Sequence, residues 1–468
     1  MTSSAADWDT LTRLVAGEVV VPGSPGYDAV RKPAMARFHN VRPAAIVRCR
    51  TPADASAAIG FARRAGLPVS IRCGGHSVAG RSATEGMVID VTPMSRVEVS
   101  DRIASVGAGA RLGELYEALY EHGATIPAGC GPAVGITGLA LGGGIGILGR
   151  RYGLTCDRLL RAEVALADGR VVECDTHHDA DLFWALRGAG GGNFGVVTSL
   201  VFDTVPAPQT TVFHLVWPFA HAAALAGNWQ EWAPYAPEDL DATLRLVAGT
   251  DSDLAHVELI GAVLGSKPDA TQRLEAFVSR APVPPASAWS GEMTYPAAKK
   301  RLDNLGQHRQ SPLGEPDRPG HLYTKSEFFR QPLDRPTLEA LAHGLTQPAA
   351  GARAREVTFM PWGGGYNRVA PDATAFPHRN ELFLIQHLLE ADPGTPAAHH
   401  EPGRSWLSQS WSLAHQFGSG GVYPNFPDPE LPDWEQAYYG ENYHRLRHVK
   451  AAYDPGNVFH FHQSVPPR

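Results

Sequence analysis

At 468 residues the chain has room for two to four structural units of about 100–200 residues each, and its 43% hydrophobic, 19% charged and 9% aromatic composition is that of a globular protein with a sizeable core. A net charge of −7, a pI near 6.3 and basic residues interspersed with acidic ones give no footing for a nucleic-acid partner, which needs concentrated Lys and Arg. The N-terminus has neither a basic start nor an apolar run, so no secretory signal is expected. The longest low-polarity stretch, Gly135 to Gly149, is too short and too broken by glycine to span a bilayer. The five cysteines (49, 73, 130, 156, 174) are an odd, sparse set rather than a disulfide framework. A cytoplasmic location is the expectation.

In chain order, Ala45 to Cys49 reads as a strand. Thr51-Pro52-Ala53-Asp54 then opens a helix, with Thr at the N-cap, Pro at N1 and an acid near the positive helix end. The helix runs to Ala65, where Gly66 is a natural stop. Val69 to Arg72 is the next strand, and Val97–Val99 with Ile103–Val106 form a hairpin. Leu112, Leu115 and Leu119 share one face of a helix over Arg111 to His122. Val164–Leu166 and Val171–Glu173 flank Asp168-Gly169, the strongest hairpin turn in the chain. A short helix over Asp179 to Arg187 and a long strand over Phe194 to Val205 follow. Strands, short helices and hairpins mixed in this way indicate an α+β domain. The middle region is richer in Trp, Pro and charge. It carries strand-like Val212–Trp217 and Ala255–Ile260, a helix over Asp269 to Arg280 and a loop at Pro282-Val-Pro-Pro285, which suits a second α+β domain.

Four segments are dense in glycine: Cys73 to Gly80, Gly129-Cys130-Gly131, Gly138 to Gly149, and Gly188 to Gly195. Glycine lets backbone approach a ligand and lets successive amides face an anion, so four such loops point to a large anionic cofactor such as a dinucleotide. Gly144-Ile-Gly146-Ile-Leu-Gly149 and Gly190-Gly-Gly192-Asn-Phe-Gly195 both match the dinucleotide fingerprint, and Asp168 lies about 20 residues past the first. A Rossmann fold is nevertheless rejected. Arg-Arg-Tyr-Gly after Gly149 does not begin an amphipathic helix, Asp168 lies in a hairpin turn, and two matches in one chain show how cheap the pattern is.

Pro68 to Ser77 resembles the flavin-attachment motif of the vanillyl-alcohol-oxidase type of FAD-binding domain. Ala128-Gly-Cys130-Gly131 followed by Gly135 to Gly146 is similar to the second attachment site of the berberine-bridge-enzyme group. Asp181 to Gly188 with Gly192 to Thr198 resembles a later signature of that domain. Tyr439-Gly-Glu-Asn442, Leu446, Val449-Lys450, Tyr453 to Phe459 and Gln463 resemble that group's closing motif. The likeness covers residues 40–205 and 420–465. It is thinner between, at Tyr323–Ser326 and Ala373–Arg379.

The resemblance implies an α+β architecture: a two-subdomain FAD-binding domain over residues 1–205, a substrate domain over 206–415 with an antiparallel sheet over the flavin, and a C-terminal segment, 416–468, returning to the first domain. It implies FAD linked covalently through His76 and Cys130. The surrounding cofactor contacts would be Arg72, Gly74, Gly75, Ser77, Gly80, Gly131, Gly135, Thr137, Gly138, Gly142, Gly143, Gly146, Gly192, Asn193, Gly195, Val196, Val197, Tyr423, Asn425 and Gln463. Cys49, Cys73, Cys156 and Cys174 are read as structural. Removing hydride from a carbinol is easier when the O–H proton leaves too, and the resemblance places Tyr423 as that base, with Tyr366 next in line. A tyrosine is a poor base unless a partner lowers its pKa, and Lys325 and Arg379 are candidates for that role. Sugar-oxidising relatives tend to carry an acid where Met360 stands here, which weakens a simple carbohydrate-oxidase reading. Trp217, Phe359, Trp362 and Tyr366 instead suggest an open cleft with aromatic walls and a bulky substrate.

The expected reaction is alcohol oxidation to a carbonyl, with molecular oxygen as acceptor and hydrogen peroxide as product. An oxidative cyclase, an oligosaccharide oxidase, a nicotinamide dehydrogenase and a flavin-bearing binding protein are the competing readings. Paired histidines (177/178, 399/400) point apart, and His460 and His462 lack a partner at ligand spacing, so no metal is expected.

Overall fold

The computed structural model describes residues 7–249, 255–307, 320–394 and 396–468. The first 206 residues hold two main sheets and a two-stranded ribbon that pairs Ala124–Thr125 with Val205–Pro206. The first has the strands Glu18–Val20, Ala45–Arg48, Met87–Asp90 and Val69–Arg72, in that order. Its first pairing is antiparallel and its other two are parallel. The helix Pro52–Ala65 begins as expected: Thr51 accepts from the Asp54 amide and the Asp54 carboxylate answers back to the cap, while Gly66 ends it at φ +63°. Its apolar side packs on this sheet through Ala55, Ala58, Ile59 and Ala62.

The second sheet is antiparallel, ordered Val97–Ser100, Ile103–Gly107, Val196–Asp203, Leu159–Ala165 and Val171–Cys174. Both expected hairpins are present, and Gly169 turns the second at φ +90°. The expected helix after Asp179 spans Ala180–Ala189 and is kinked at Arg187 and Gly188. Gly188 is required there, because a Cβ would fall 2.5 Å from the Phe376 amide nitrogen. A single helical turn, Gly149–Tyr152, follows Gly149. It is too short to be the helix that a Rossmann fold places after its glycines, and Asp168 lies in a turn between antiparallel strands.

A seven-stranded antiparallel sheet dominates the middle of the chain. Its order is Ser287–Met293, Thr210–Pro218, His256–Val263, Leu240–Gly249, Ala352–Pro361, Phe383–Ala391 and His321–Phe329. Alternation divides each strand between two faces. Phe213, Leu215, Trp217, Leu244, Leu246, Val357, Phe359 and Ile385 face a core built with the helices Ala222–Trp232, Lys267–Val278, Arg335–Thr346 and Glu401–His415. The opposite face turns toward the N-terminal region. There Val212, Ile260 and Ala262 join a core with helix Tyr295–Gln307 and with the second sheet. The C-terminal helix Tyr443–Tyr453 packs back on helix Ala180–Ala189. Among the described residues no helix is long and apolar enough to cross a membrane.

Candidate functional site

Residues 73–77 and 131–135 form two loops pressed together. A Cβ on Gly74 would lie 2.4 Å from the Gly135 nitrogen, and one on Gly135 would lie 2.1 Å from Cys73 Sγ. Glycine at both positions is what permits the approach. Gly75, at φ +72°, lies against Pro33 and Ala34, and Gly80 lies against the Phe38 ring. His76 sits between these loops. Two cavities, of about 340 and 360 Å³, share His76, Ala34 and Ala133 as lining. The first is rimmed by Lys32, Arg48, Arg72 and Arg111 with Asp90 as the acid. The second lies between the two loops and the end of the large sheet, where Leu322 and Glu390 line it opposite Gly131.

The His76 Nε2 atom is buried and meets no hydrogen-bond partner. A buried polar atom without a partner costs about 1–3 kcal/mol, so it marks a position where something else belongs. Burial, and after it the charge of Arg111, hold the imidazole below its ordinary range. His76 is therefore neutral at neutral pH and keeps a nucleophilic lone pair. An imidazole whose buried Nε2 has no partner, in a glycine-lined cleft with a basic rim, fits an anionic dinucleotide cofactor. Arg72 takes a different part in this: its guanidinium donates to the carbonyls of Ser82, Val30 and Arg31, bracing the strand before the loop. Ser77 Oγ accepts from the Arg81 amide.

Cys130 lies on the adjoining loop. Lys299, from helix Tyr295–Gln307, donates to the Ala128 carbonyl at 2.6 Å and lies 4.0 Å from Cys130 Sγ. Tyr116 donates to the Gly129 carbonyl at 2.6 Å. The four other cysteines are held far from reactivity by burial: Cys73 and Cys174 are pushed up to about 12, and Cys49 and Cys156 higher still. No disulfide joins any of the five. Thr137 Oγ1 donates to the Ala108 carbonyl, anchoring the short helix Ile136–Leu141 that carries Gly138.

The third glycine loop meets the two tyrosines. Tyr423 Oη accepts from the Gly144 amide at 3.0 Å and from Asn425 Nδ2 at 3.1 Å, and it donates to none of the described residues. Asn425 also donates to the Leu139 carbonyl and fills the space a Gly142 side chain would need. Gly143 lies against the Phe376 ring. Tyr366 differs, because its hydroxyl donates to the Gly146 carbonyl at 3.1 Å and its ring stacks on Trp362. Burial pushes both phenols well above their ordinary range; at Tyr423 the Asn425 and Gly144 donors work against it. The two cations expected to activate Tyr423 are both committed elsewhere. Lys325 pairs with Asp428 at 2.5 Å, and Arg379 pairs bidentately with Asp157. Partners of Tyr423 are instead an amide and an amide side chain, because the tyrosine points into the glycine loop rather than along the sheet.

The fourth loop is fastened to the C-terminal segment. Lys450 donates to the Asn193 and Phe459 carbonyls at 2.6 Å and pairs with Asp454 at 2.7 Å, with both side chains fully buried. Asn193 Oδ1 accepts from the Val465 amide, and Gln463 donates to the Asp428 carbonyl. Gly195 lies against Ala165, Gly192 approaches the Phe461 ring, and Val196 and Val197 put their side chains into the core. The two valines can therefore meet a ligand through backbone alone.

The aromatic wall expected of the cleft is not what the sheet presents. Trp217 and Phe359 point to the helical back, as alternation demands once the faces are known. Trp362 and Tyr366 are 1% and 2% exposed, packed with Phe328 and Phe376 rather than lining an open cleft. The opposite face of the sheet, which also carries Val212, Ile260 and Ala262, holds a buried polar group. Arg245 pairs bidentately with Glu356 at 2.9 Å and reaches Glu258 at 2.6 Å, and His256 meets Glu258 at 2.9 Å. Thr358 bonds Glu356, and Gln386 donates to Thr324. Glu356 lies on the same strand face as Met360 but four residues before it, about 13 Å along the strand. Sequence reading missed Arg245 and Glu356, although the alternations Leu244-Arg-Leu246 and Glu356-Val-Thr-Phe359 carry them. Among the described residues no group of three or more His, Cys, Asp or Glu side chains is placed to hold a metal.

Comparison with known proteins identifies the family. A family model described as an FAD binding domain matches residues 43–175, and one described as berberine and berberine like matches residues 422–466. The chain is 34% identical to the FAD-linked oxidoreductase YgaK of Bacillus subtilis, over 96% of this chain and 97% of that one. It is 30% identical to a chitooligosaccharide oxidase of Gibberella zeae, over 91% and 88%. BBE-like 1 of Physcomitrella patens superposes with a TM-score of 0.87 at 28% identity, covering 98% of this chain and 99% of that one. With both family segments in their expected places around the glycine loops, the chain belongs to the berberine-bridge-enzyme-like family of FAD-linked oxidoreductases.

Proposed function

We propose that this protein oxidises a hydroxyl of a glycosidic or similarly hydroxyl-rich small molecule to a carbonyl, with FAD attached through both His76 and Cys130, dioxygen as acceptor and hydrogen peroxide as product. The observation that carries the attachment is the buried, unpartnered His76 Nε2 in a cavity whose other wall is the loop after Cys130. When bound, the flavin supplies the hydride acceptor. The Gly144 amide and Asn425 Nδ2 hold Tyr423 as a phenolate, which takes the hydroxyl proton at Oη and becomes the neutral phenol. Arg245, Glu356, Thr358, Gln386 and Thr324 offer the donors and acceptors that orient substrate hydroxyls. A polar face of this kind, together with a relative named for chitooligosaccharides, favours a glycoside over a purely aromatic ligand.

The test has two parts. Acid-precipitated protein should retain its yellow colour, with an intact mass equal to the chain plus one FAD less four hydrogens, two for each link. His76→Ala should keep the flavin through Cys130, and the double substitution with Cys130→Ala should release it. A mass equal to the bare chain removes the attachment reading. A stopped-flow panel should then show oligosaccharides and glycosides bleaching the flavin faster than short alcohols, with a product that has lost two hydrogens and gained a carbonyl. A product with a new ring instead identifies an oxidative cyclase.

A further inference from the structure

Lys299 carries a burial cost that the reaction chemistry above leaves unexplained. It lies on the helix that wedges between the large sheet and helix Leu112–Tyr120, and it is 2% exposed. Burying an ammonium costs several kcal/mol unless paired groups repay it. Its Nζ donates to the Ala128 carbonyl at 2.6 Å, sits 5.0 and 5.3 Å from the ring centroids of Tyr116 and Tyr295, and lies 4.0 Å from Cys130 Sγ. One carbonyl and two ring faces offset little of that cost. A thiolate would be the strong partner, since a nearby lysine is the kind of group that lowers a cysteine pKa and makes it a nucleophile.

We infer that Lys299 is a positioning residue for flavin attachment at Cys130: it takes the thiol proton and, as an ammonium, holds the thiolate against the flavin ring. The inference rests on the attachment reading above. The Cys130 S–H proton passes to Lys299 Nζ, Sγ bonds to C6 of the oxidised flavin, and the C6 hydrogen leaves as a proton. Two electrons enter the ring and pass to dioxygen, which leaves as hydrogen peroxide. Lys299 also fixes the trajectory, because the same Nζ holds the carbonyl two residues before the cysteine while Tyr116 holds the next carbonyl.

The groups facing the pair come from three elements. Tyr116 is on helix Leu112–Tyr120, Tyr295 and Asp303 are on the lysine's own helix, and Asp241 is on strand Leu240–Gly249. Burial holds the Lys299 ammonium below its ordinary range, opposed by Cys130 and Asp241. Burial also pushes both tyrosines well above theirs, so neither competes for the proton.

The experiment follows the link rather than turnover. Wild type, Lys299→Met and Lys299→Arg are purified, and the fraction of Cys130 peptide carrying flavin is read by mass spectrometry. Wild type should be doubly linked, and Lys299→Arg, which keeps a cation beside the thiolate but cannot accept its proton, should form the Cys130 link more slowly than wild type and faster than Lys299→Met. Lys299→Met should arrive linked through His76 alone. Aerobic incubation should then convert it at least about tenfold more slowly at pH 7 than near pH 9.5, since below its pKa a thiol loses tenfold in thiolate per unit. The conversion is read as the loss of two hydrogens from the intact mass. A Lys299→Met protein that is doubly linked like wild type overturns the inference. So does one that melts like wild type but forms no Cys130 link at any pH, because the lysine would then only shape the loop. Wild type lacking the Cys130 link would instead sink the attachment reading, and the role of Lys299 with it.

Discussion

Tyr423→Phe removes a single oxygen that receives two hydrogen bonds, from the Gly144 amide at 3.0 Å and from Asn425 Nδ2 at 3.1 Å. The position is 2% exposed, so water cannot replace the lost acceptor. An unsatisfied buried donor costs about 1–3 kcal/mol. Asn425 keeps its second partner, the Leu139 carbonyl at 2.9 Å, so the expected loss of stability is about 1–3 kcal/mol in total. The catalytic loss is separate and larger. A positioned base is worth about 10²–10⁴-fold, or about 3–5 kcal/mol of barrier at about 1.36 kcal/mol per factor of ten. The assay is anaerobic stopped-flow reduction of the flavin by substrate, at a temperature where both proteins are folded by circular dichroism. Because burial raises this phenol's pKa, wild-type reduction should climb toward alkaline pH. Asn425→Ala should push that climb to higher pH still by removing one donor to the phenolate. Reduction in the Phe variant within tenfold of wild type would refute the assignment. A pH profile unchanged in Asn425→Ala would refute the account of how the tyrosine is activated.

Lys450→Met should destabilise the fold by about 3–5 kcal/mol in urea denaturation, because it strips a fully buried carboxylate, Asp454, of its cation. The Asp454 carboxylate keeps the Val458 and Phe459 amides, which places the loss near the lower end. Arg245→Met strands Glu356 and Glu258 in the same way and should cost a similar amount, while raising KM for a hydroxyl-rich substrate more than it lowers kcat. Glu390 is pushed up to about 7 by burial, above an ordinary value of 4.5. The folded state therefore holds a proton that the unfolded state has lost, and stability should fall as pH rises from about 4.5 to 7. Glu390→Gln should flatten that fall, leaving the variant more stable relative to wild type at about pH 8 than at about pH 4. Parallel denaturation curves at both pH values would contradict the shift.

The elements legible in the sequence are those whose causes lie within a few residues. Thr51, Pro52 and Asp54 supply both halves of a helix cap at a spacing of three, and Asp168-Gly169 contains the positive φ that a tight hairpin needs. The glycine loops are legible for the same reason, and the resemblance of their flanking residues points to His76 and Cys130 on them. The direction of a strand's faces is half legible. Alternation separates Met360 and Trp362 from Phe359 correctly, but Phe359 and Trp217, expected in the cleft, lie on the helical side, since a period of two does not say which face a helical layer will cover.

What only the tertiary structure decided is which distant residues share a site. Lys299 reaches Cys130 across 169 positions, Arg245 reaches Glu356 across 111, and Tyr423 reaches Gly144 across 279. Lys325 and Arg379, the candidates for lowering the Tyr423 pKa, pair with Asp428 and Asp157. A buried cation pairs with whatever anion the packing brings within a few ångströms, because Coulomb energy grows as the dielectric falls. Local sequence therefore determined the caps, turns and glycine cradles of this protein, and the packing of the seven-stranded sheet on the two loops determined the partners of its buried charges.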